Sequence, residues 1–403
     1  MTGRAQIVSE FLEGLQEKLQ APAQIELQRL LRLKEKHVTE RGESFDGKLH
    51  PWDYGFYHNL LMKQEYGVDE EAIREYFPLH VVVRETLEIY QELLTLRFEE
   101  INEFDRWHSD VRLFAVYDLS QPEEPLKGHF YLDLHPRDGK YTHAAIFHLL
   151  KQNDAQTPVD CMQTNLPAPV GSEPALLTHD DVVTFFHEFG HIMHALCSEG
   201  HTNNTHLAKC PRDFVEAPSQ MLENWCWSSD VLERLSSHYQ TGDKLPQELQ
   251  EKMVAAKNVN VALDTLRQIF LSTLDMTIHT EPPANAEELQ KLVDRLRPQI
   301  TLLENPENNN QLRSFSHLMN QYAAAYYGYL WSEVISADMF ESRFAKEGIF
   351  NAKTGMDYRK DILAVGGVGS IMEHVTKFLG RLPQQENFLR SRGIVHSSPP
   401  PSN

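Results

Sequence analysis

His187-Glu188-Phe189-Gly190-His191 is an H-E-x-x-H sequence inside a segment rich in apolar residues. The segment predicts an α-helix, with Thr178 placed to cap its start. On a helix, two histidines four positions apart face the same side and can bind one zinc ion. Glu188 then lies beside the metal, where it can accept a proton from a metal-activated water. A chance match is the alternative, and the apolar helical surroundings argue against it.

A catalytic zinc site needs a third protein ligand from outside this pair. His194 follows on the same helix, although packing or hydrogen bonding is the commoner role of such a histidine. Glu216 is the stronger candidate, because in a helix Glu216, Gln220 and Glu223 share one face. There Glu216 can reach the metal and Glu223 can orient an imidazole. A solvated polar stripe explains the same spacing, so these residues alone leave the third ligand open.

Composition and charge describe an ordinary globular chain with an acidic surface. The 403 residues are 41% apolar and 24% charged, and 38 basic against 58 acidic residues give a formal charge of −20. Such a surface repels phosphate backbones and anionic lipid, so we expect neither nucleic acid nor membrane as a partner. Four cysteines are sparse usage, which is typical of a reducing compartment. The start of the chain resembles no signal peptide, so we expect a cytoplasmic location, with a mitochondrial one as the alternative.

Apolar periodicity predicts a mainly helical chain with one small sheet. It favours a first helix that breaks at Pro22 and a later amphipathic helix over 80–101. Short aromatic and β-branched runs at 111–117 and 129–134 predict strands. The Pro-, Gln- and Asn-rich residues 151–176 predict a loop, after which helices return.

In the H-E-x-x-H segment and the segment around Glu216, the chain resembles the thimet oligopeptidase/neurolysin-type zinc endopeptidases, the M3 metallopeptidase family. The stretches that carry the resemblance are long and occur in the family's order. They are His187–His191, Asp213–Glu223 and Tyr326–Glu333, with further matches at Phe130–Leu134, Met356–Arg359 and Phe378–Arg381. The match runs from about residue 5 to about residue 393, which makes accidental similarity very improbable.

The resemblance implies a fold and a set of roles. The fold is a mainly α, zincin-like catalytic domain with a small β-sheet near the active site, forming one wall of a peptide channel. The implied zinc ligands are His187, His191 and Glu216, with one ion per chain and Glu188 as the general base. We therefore expect a helical segment over 1–110, a zinc metallopeptidase region over 111–390 and a disordered tail over 391–403.

The resemblance also implies residues that handle the substrate. It assigns His317, Tyr322 and Tyr329 to the oxyanion of the tetrahedral intermediate, and Tyr326 to holding the peptide. Arg212 corresponds to an arginine near the substrate, although a structural salt bridge is an equal alternative. On spacing alone, the three tyrosines would simply pack a helix.

Two features depart from the family pattern. Family members have a large helical region before the matched segment, and this sequence begins partway through it. The family's glycine-rich loop reads here as His317-Leu318-Met319-Asn320-Gln321-Tyr322, without the φ > 0 freedom of glycine. Despite these departures, the matched motifs imply a zinc endopeptidase that acts on short peptides, and we expect a monomer. The alternatives are a truncated, weak or inactive zinc- or peptide-binding relative, and a helical H-E-x-x-H carboxypeptidase.

Overall fold

The computed structural model describes six stretches of the chain. They are residues 3–152, 156–199, 210–306, 315–320, 322–367 and 369–394. The chain falls into two units: a helical unit of Met1–Val68, Lys252–Trp331 and Gln385–Asn403, and a sheet unit of Asp69–Glu251 and Ser332–Gln384. The division near residue 110 stays a prediction. Of the tail predicted to be disordered, residues 395–403 lie outside the described part.

Helices dominate the described residues, as predicted. In chain order they are α1 (Ala5–Glu40), α2 (Pro51–Leu61), α3 (Glu70–Arg74), α4 (Leu79–Leu94), α5 (His179–Cys197), α6 (Ala217–Glu223), α7 (Ser229–Leu235), α8 (Gln247–Ala256), α9 (Val261–Thr280), α10 (Ala286–Thr301), α11 (Gly328–Met339), α12 (Ala345–Glu347), α13 (Ala352–Tyr358), α14 (Ile371–Leu379) and α15 (Glu386–Ser391). Among these residues, no helix combines the length and the apolar character that crossing a bilayer requires.

Helix α1 continues through Pro22, where the sequence predicts a break. A proline inside a helix removes a backbone hydrogen bond and costs about 3 kcal/mol. The helix persists because its apolar stripe, including Leu15, Leu19 and Leu30, is fully buried and packs along α9. Burying each leucine contributes about 1.5–3 kcal/mol, so several of them outweigh the proline.

The sheet unit contains one five-stranded mixed sheet. Its strands are β1 (Leu96–Ile101), β2 (Arg112–Asp118), β3 (Leu126–Asp133), β4 (Ala145–Leu150) and β5 (Val159–Gln163). They lie in the order β1-β2-β3-β5-β4, with β3 parallel to β5 and every other neighbouring pair antiparallel. The two predicted strands are confirmed as β2 and β3.

Two predictions next to the sheet are wrong. The helix predicted over 80–101 ends at Leu94, because Thr95 adopts a left-handed φ of 54° and the following residues pair with β2. The loop predicted over 151–176 contains β5, which lies between β3 and β4 and is mostly buried. A strand that is covered on both faces has no apolar–polar alternation, so its sequence pattern conceals it.

Helix α5, which carries the H-E-x-x-H sequence, packs on the sheet through aromatic rings. Phe189 makes edge-to-face contacts with Phe130 of β3 at 5.2 Å and with Phe98 of β1 at 5.8 Å. Tyr90 of α4 packs on Phe189 at 4.8 Å, and its hydroxyl donates to the carbonyl of Phe186 at 2.8 Å. The predicted mainly α fold, with a small sheet beside the candidate site, is therefore confirmed.

A buried ion pair ties the end of α4 to the sheet. Arg359 donates to the carboxylate of Asp118 on β2 and, at 2.9 Å, to the carbonyl of Leu94. Asp118 is only 1% exposed and Arg359 only 5%. Burial alone would raise the pKa of Asp118, but the donors Arg359 and Ser120 outweigh burial and lower that pKa to about 2.

Replacing Asp118 with Asn should destabilise the protein by about 3–5 kcal/mol, because Arg359 keeps a buried charge without its partner. The folded-state pKa of Asp118 lies below the ordinary 3.8, so the pair stabilises fully above that pH and less as the pH falls toward 2. Urea unfolding at neutral and acidic pH should show a lower midpoint in the variant. The free energy of unfolding of the variant should also fall less steeply as the pH is lowered.

The matched control is Glu100→Gln, which removes the exposed carboxylate that pairs with Arg112. It should change the free energy of unfolding by no more than about 1 kcal/mol. Equal losses in the Asp118 and Glu100 variants would contradict the role of the buried pair.

Candidate metal centre

The start of α5 is capped as the sequence predicts. Thr178 Oγ1 accepts the amide of Asp181 at 3.1 Å, and the Asp181 carboxylate accepts the amide of Thr178 at 2.9 Å. Asp180 and Asp181 also place negative charge in the first turn, which favours the helix dipole. The capped helix brings His187 and His191 to the same side, one turn apart.

Three donor atoms from two helical segments converge on one point of the sheet unit. His191 Nε2 lies 3.2 Å from His187 Nε2 and 3.1 Å from Glu216 Oε2. The third edge, from His187 Nε2 to Glu216 Oε2, is 3.3 Å. Glu216 stands at the residue before α6 and is 4% exposed. Among the described residues, this is the cluster of histidine and acidic side chains arranged to hold a metal ion.

The chemistry and spacing of this cluster fit a zinc ion. Ligand atoms at 2.0–2.1 Å from one tetrahedral ion lie about 3.3–3.4 Å from one another. The three observed edges match that spacing within a few tenths of an ångström. When they bind a metal, the two imidazoles are neutral, so together with one carboxylate they carry a net charge of −1, which suits a divalent cation in a buried place.

The carboxylate of Glu216 is held in its charged form. Burial would raise its pKa, but the imidazoles of His191 and His187 outweigh burial and hold the pKa of Glu216 well below its usual range. Burial likewise opposes a charged His187, yet Glu216 and Glu223 hold the pKa of His187 well above its usual range. The cluster therefore contains a charged carboxylate, which positive charge on the neighbouring groups stabilises.

Glu223 orients the first imidazole from the far end of α6. Its Oε1 lies 2.7 Å from His187 Nδ1, which leaves His187 Nε2 directed at the cluster. A carboxylate on the outer nitrogen of a ligand histidine fixes its tautomer and raises its basicity. The sequence predicts this partner correctly from the shared helical face of Glu216 and Glu223.

Glu188 and His194, the other two polar residues considered on α5, occupy different environments. Glu188 is 8% exposed. Burial raises its pKa above the usual range, because it outweighs the lowering effect of the neighbouring His191 and His187. Its carboxyl group is thus close to the cluster without belonging to it. His194 is fully buried and also lies outside the cluster, so Glu216 supplies the third donor atom instead.

Gly190 lets α6 approach α5 closely enough for Glu216 to reach the histidines. A Cβ at Gly190 would lie 2.8 Å from Ser219 Cα and 3.2 Å from Ser219 Cβ. Ser219 is the third residue of α6 and lies between Glu216 and Glu223 in the sequence. Any larger residue at position 190 must push α6 away from α5.

Gly190→Ala should therefore destabilise the protein by about 1–3 kcal/mol and weaken metal binding, although alanine is the better helix former. Thermal unfolding and metal titration measure the two effects. Gly14→Ala is the matched control, because that helical glycine of α1 has no neighbour within 4 Å of its added Cβ. It should stabilise by up to about 1 kcal/mol; the same gain at position 190 would refute the close-packing role.

The predicted tyrosine residues come together in the helical unit. The His317 ring centroid lies 5.9 Å from Tyr322, 6.1 Å from Tyr326 and 6.4 Å from Tyr329. Tyr322 stacks on Tyr329 at 4.8 Å, and Tyr326 lies 5.2 Å from Tyr329. The alternative that these aromatics pack one continuous helix is wrong, because α11 begins only at Gly328 and turns precede it.

Asp275 of α9 holds the turn that carries these tyrosines. Its carboxylate accepts the amides of Ala324 at 3.0 Å and Tyr326 at 2.9 Å, and Ala324 has a left-handed φ of 55°. Gln268, also on α9, accepts the Tyr326 hydroxyl at 3.0 Å. Neither support is predictable from the sequence, since nothing in the local pattern links α9 to residues 322–327.

Arg212 lies half-buried in the turn that leads into Glu216. It is therefore in the sheet unit with the histidine cluster, whereas His317 and the tyrosines belong to the helical unit. The predicted site residues thus form two groups, each brought together within its own unit.

An H-E-x-x-H helix packed on a small mixed sheet, with a carboxylate completing a three-donor cluster, defines a zincin-like fold. The chain also matches the model of Peptidase family M3 over residues 1–394 and belongs to that family. The resemblance inferred from the sequence is thereby confirmed.

Several curated relatives are similar over nearly the whole chain. The chain is 41% identical over 397 residues to the thimet-like oligopeptidase of Dictyostelium discoideum, covering 96% of this chain and 59% of that protein. It is 39% identical over 404 residues to saccharolysin of Saccharomyces cerevisiae, covering 96% and 56%. The chain thus spans somewhat under three fifths of the length of these relatives.

A solved structure shows the same fold at much lower identity. PZ peptidase A with inhibitor 2 matches with a TM-score of 0.58 and 13% identity, covering 98% of this chain and 58% of that one. At this identity the match supports the fold alone.

Proposed function

We propose that this chain is a zinc-dependent endopeptidase that hydrolyses internal bonds of short peptides. The observation that carries the proposal is the triangle of donor atoms from His187, His191 and Glu216, with edges of 3.1–3.3 Å. The helix that supplies the two histidines also bears Glu188. Membership of Peptidase family M3 and similarity to proteins named oligopeptidases support it.

In this proposal, the metal ligands, Glu188 and Glu223 have different roles in peptide hydrolysis. His187, His191 and Glu216 would hold a zinc ion, which would supply a Lewis acid able to acidify the attacking water. Glu188 is the general base that accepts the proton of the attacking water and passes it to the leaving amine. Glu223 holds the His187 imidazole in the tautomer that ligation requires.

We assign the handling of the substrate to the residues of the second group and to Arg212 of the first. We assign His317, Tyr322 and Tyr329 to stabilising the oxyanion, and Tyr326 and Arg212 to binding the peptide. One well-aimed donor to a developing oxyanion contributes about 2.7–4 kcal/mol. Burial raises the pKa of Tyr326 to about 12, so its phenol stays protonated at neutral pH and its hydroxyl donates to Gln268.

Cleavage of an end-blocked, internally quenched short peptide by the purified chain tests the proposal. The expected result is cleavage at an internal bond, lost with a chelator and restored by added zinc. A carboxypeptidase requires a free terminus and would leave this peptide intact. Protein that binds one zinc but turns nothing over would instead identify an inactive relative and defeat the proposal.

Glu223→Gln should weaken zinc binding by about 10–100-fold, because the carboxylate no longer orients and polarises His187. Competition with a chelator of known affinity measures the change. Glu233→Gln is the matched control, since that exposed side chain of α7 lies away from the cluster; it should leave zinc affinity unchanged. Equal affinity in both variants would remove Glu223 from the site.

A further inference from the structure

Helix α9 contacts the turn at residues 322–327 through two side chains, Gln268 and Asp275. The two residues are seven positions apart in the helix, so they lie on the same face of α9, about two turns from each other. Asp275 is fully buried and Gln268 is half-buried. Within the helical unit, one helix face therefore supports the turn that leads into α11.

The carboxylate of Asp275 completes the hydrogen bonding of this turn. The amides of Ala323 and Ala325 donate to carbonyls of the same loop, at 3.2 and 2.9 Å. The amides of Ala324 and Tyr326 donate instead to the two oxygens of Asp275, at 3.0 and 2.9 Å. Alternate amides of the turn thus depend on a side chain from another helix, and a buried amide that loses its acceptor is costly.

The conformation of Ala324 makes this support necessary. Its φ of 55° lies in the left-handed region, which alanine disfavours and glycine adopts freely. The two bonds to Asp275 hold the backbone at Ala324 and two residues later, at Tyr326. Gln268 accepts the Tyr326 hydroxyl at 3.0 Å, so Tyr326 is fixed both at its backbone and at its phenol.

We propose that Asp275 and Gln268 are positioning residues for peptide hydrolysis, an inference that rests on the proposed function. The turn carries Tyr322 and leads to Tyr329, and these two rings stack at 4.8 Å beside His317. The support from α9 therefore determines where the two hydroxyls lie. A displacement of about 1 Å at a catalytic group can lower a rate by about 10²-fold. Asp275 and Gln268 act through the tyrosines rather than on the peptide itself.

Steady-state kinetics of Asp275→Asn protein on the end-blocked peptide test the proposal. The amide side chain keeps one acceptor oxygen and loses the other, so one of the two turn amides loses its bond. We expect kcat to fall by at least about 10-fold and KM to change by less than about 3-fold, because oxyanion donors act in the transition state. Asp264→Asn is the matched control, since it makes the same substitution on α9 about three turns away. It should leave both constants unchanged.

Gln268→Met is a second, milder variant. It removes the acceptor of the Tyr326 hydroxyl and keeps both amide bonds to Asp275, so kcat should fall by only about 3-fold. Each variant is assayed well below its own thermal midpoint, with zinc content measured on the same sample. Wild-type kcat in folded, zinc-loaded Asp275→Asn protein would overturn the proposal. If that variant does not fold, wild-type kcat in Gln268→Met protein would overturn it.

Hydrogen exchange over residues 322–329 separates this inference from the proposed function. The amides of the turn should exchange at least about 10-fold faster in Asp275→Asn protein than in the wild type, whether or not the chain hydrolyses peptides. Absence of hydrolysis by the wild type would defeat the proposed function, and equal exchange in the two proteins would separately overturn the support of the turn. Faster exchange together with wild-type kcat would overturn the positioning role alone.

Discussion

Glu188→Gln is expected to lower the rate of peptide hydrolysis by at least about 10²-fold while leaving one zinc ion per chain. The amide has nearly the shape of the carboxyl group, but it cannot accept the proton of the attacking water. Glu188 lies close to the cluster but supplies none of its three donor atoms. The substitution therefore tests the role of Glu188 in hydrolysis without removing a metal ligand. Initial rates on the end-blocked peptide, with zinc content measured on the same sample, give both quantities.

The control for this experiment is Glu173→Gln, which makes the same change at an exposed position of the sheet unit. It should retain wild-type turnover. Near wild-type hydrolysis by zinc-loaded Glu188→Gln protein would rule out Glu188 as the general base, whatever the metal content.

His191→Ala should have the largest effect, because it removes a ligand and leaves the buried Glu216 with one imidazole. Zinc content after dialysis should fall to background, and hydrolysis should fall with it. A ligand that binds only the folded state stabilises that state by mass action. A chelator should therefore lower the thermal midpoint of the wild type and leave that of the variant unchanged.

His108→Ala is the matched control, since that half-exposed histidine of the sheet unit lies apart from the cluster. It should keep full zinc content and activity. If His191→Ala protein retained wild-type zinc stoichiometry, the metal would have to bind elsewhere in the chain.

Local signals made the metal cluster predictable. Thr178 with Asp181 marks a helix start, and the i, i+4 spacing of His187 and His191 then places two imidazoles together. Glu216 was only one of two candidates by residue pattern. The family resemblance selected it, and the close approach that Gly190 permits explains how it reaches the histidines.

Features that depend on distant contacts were not predictable. Strand β5 is concealed because neighbours cover both of its faces, and α1 survives Pro22 because α9 buries its leucines. The turn at 322–327 is held by Asp275, about fifty residues earlier in the chain. In each case, a tertiary contact outweighs the local preference of the sequence.

X-ray absorption at the zinc edge of the purified chain identifies the ligand atoms of the bound metal. We expect nitrogen and oxygen neighbours at about 2.0–2.2 Å, including two imidazoles, and no sulfur. Loss of one imidazole contribution or of the metal itself is expected in His191→Ala protein. A sulfur neighbour at about 2.3 Å, or a spectrum that His191→Ala leaves unchanged, would contradict a site built from His187, His191 and Glu216.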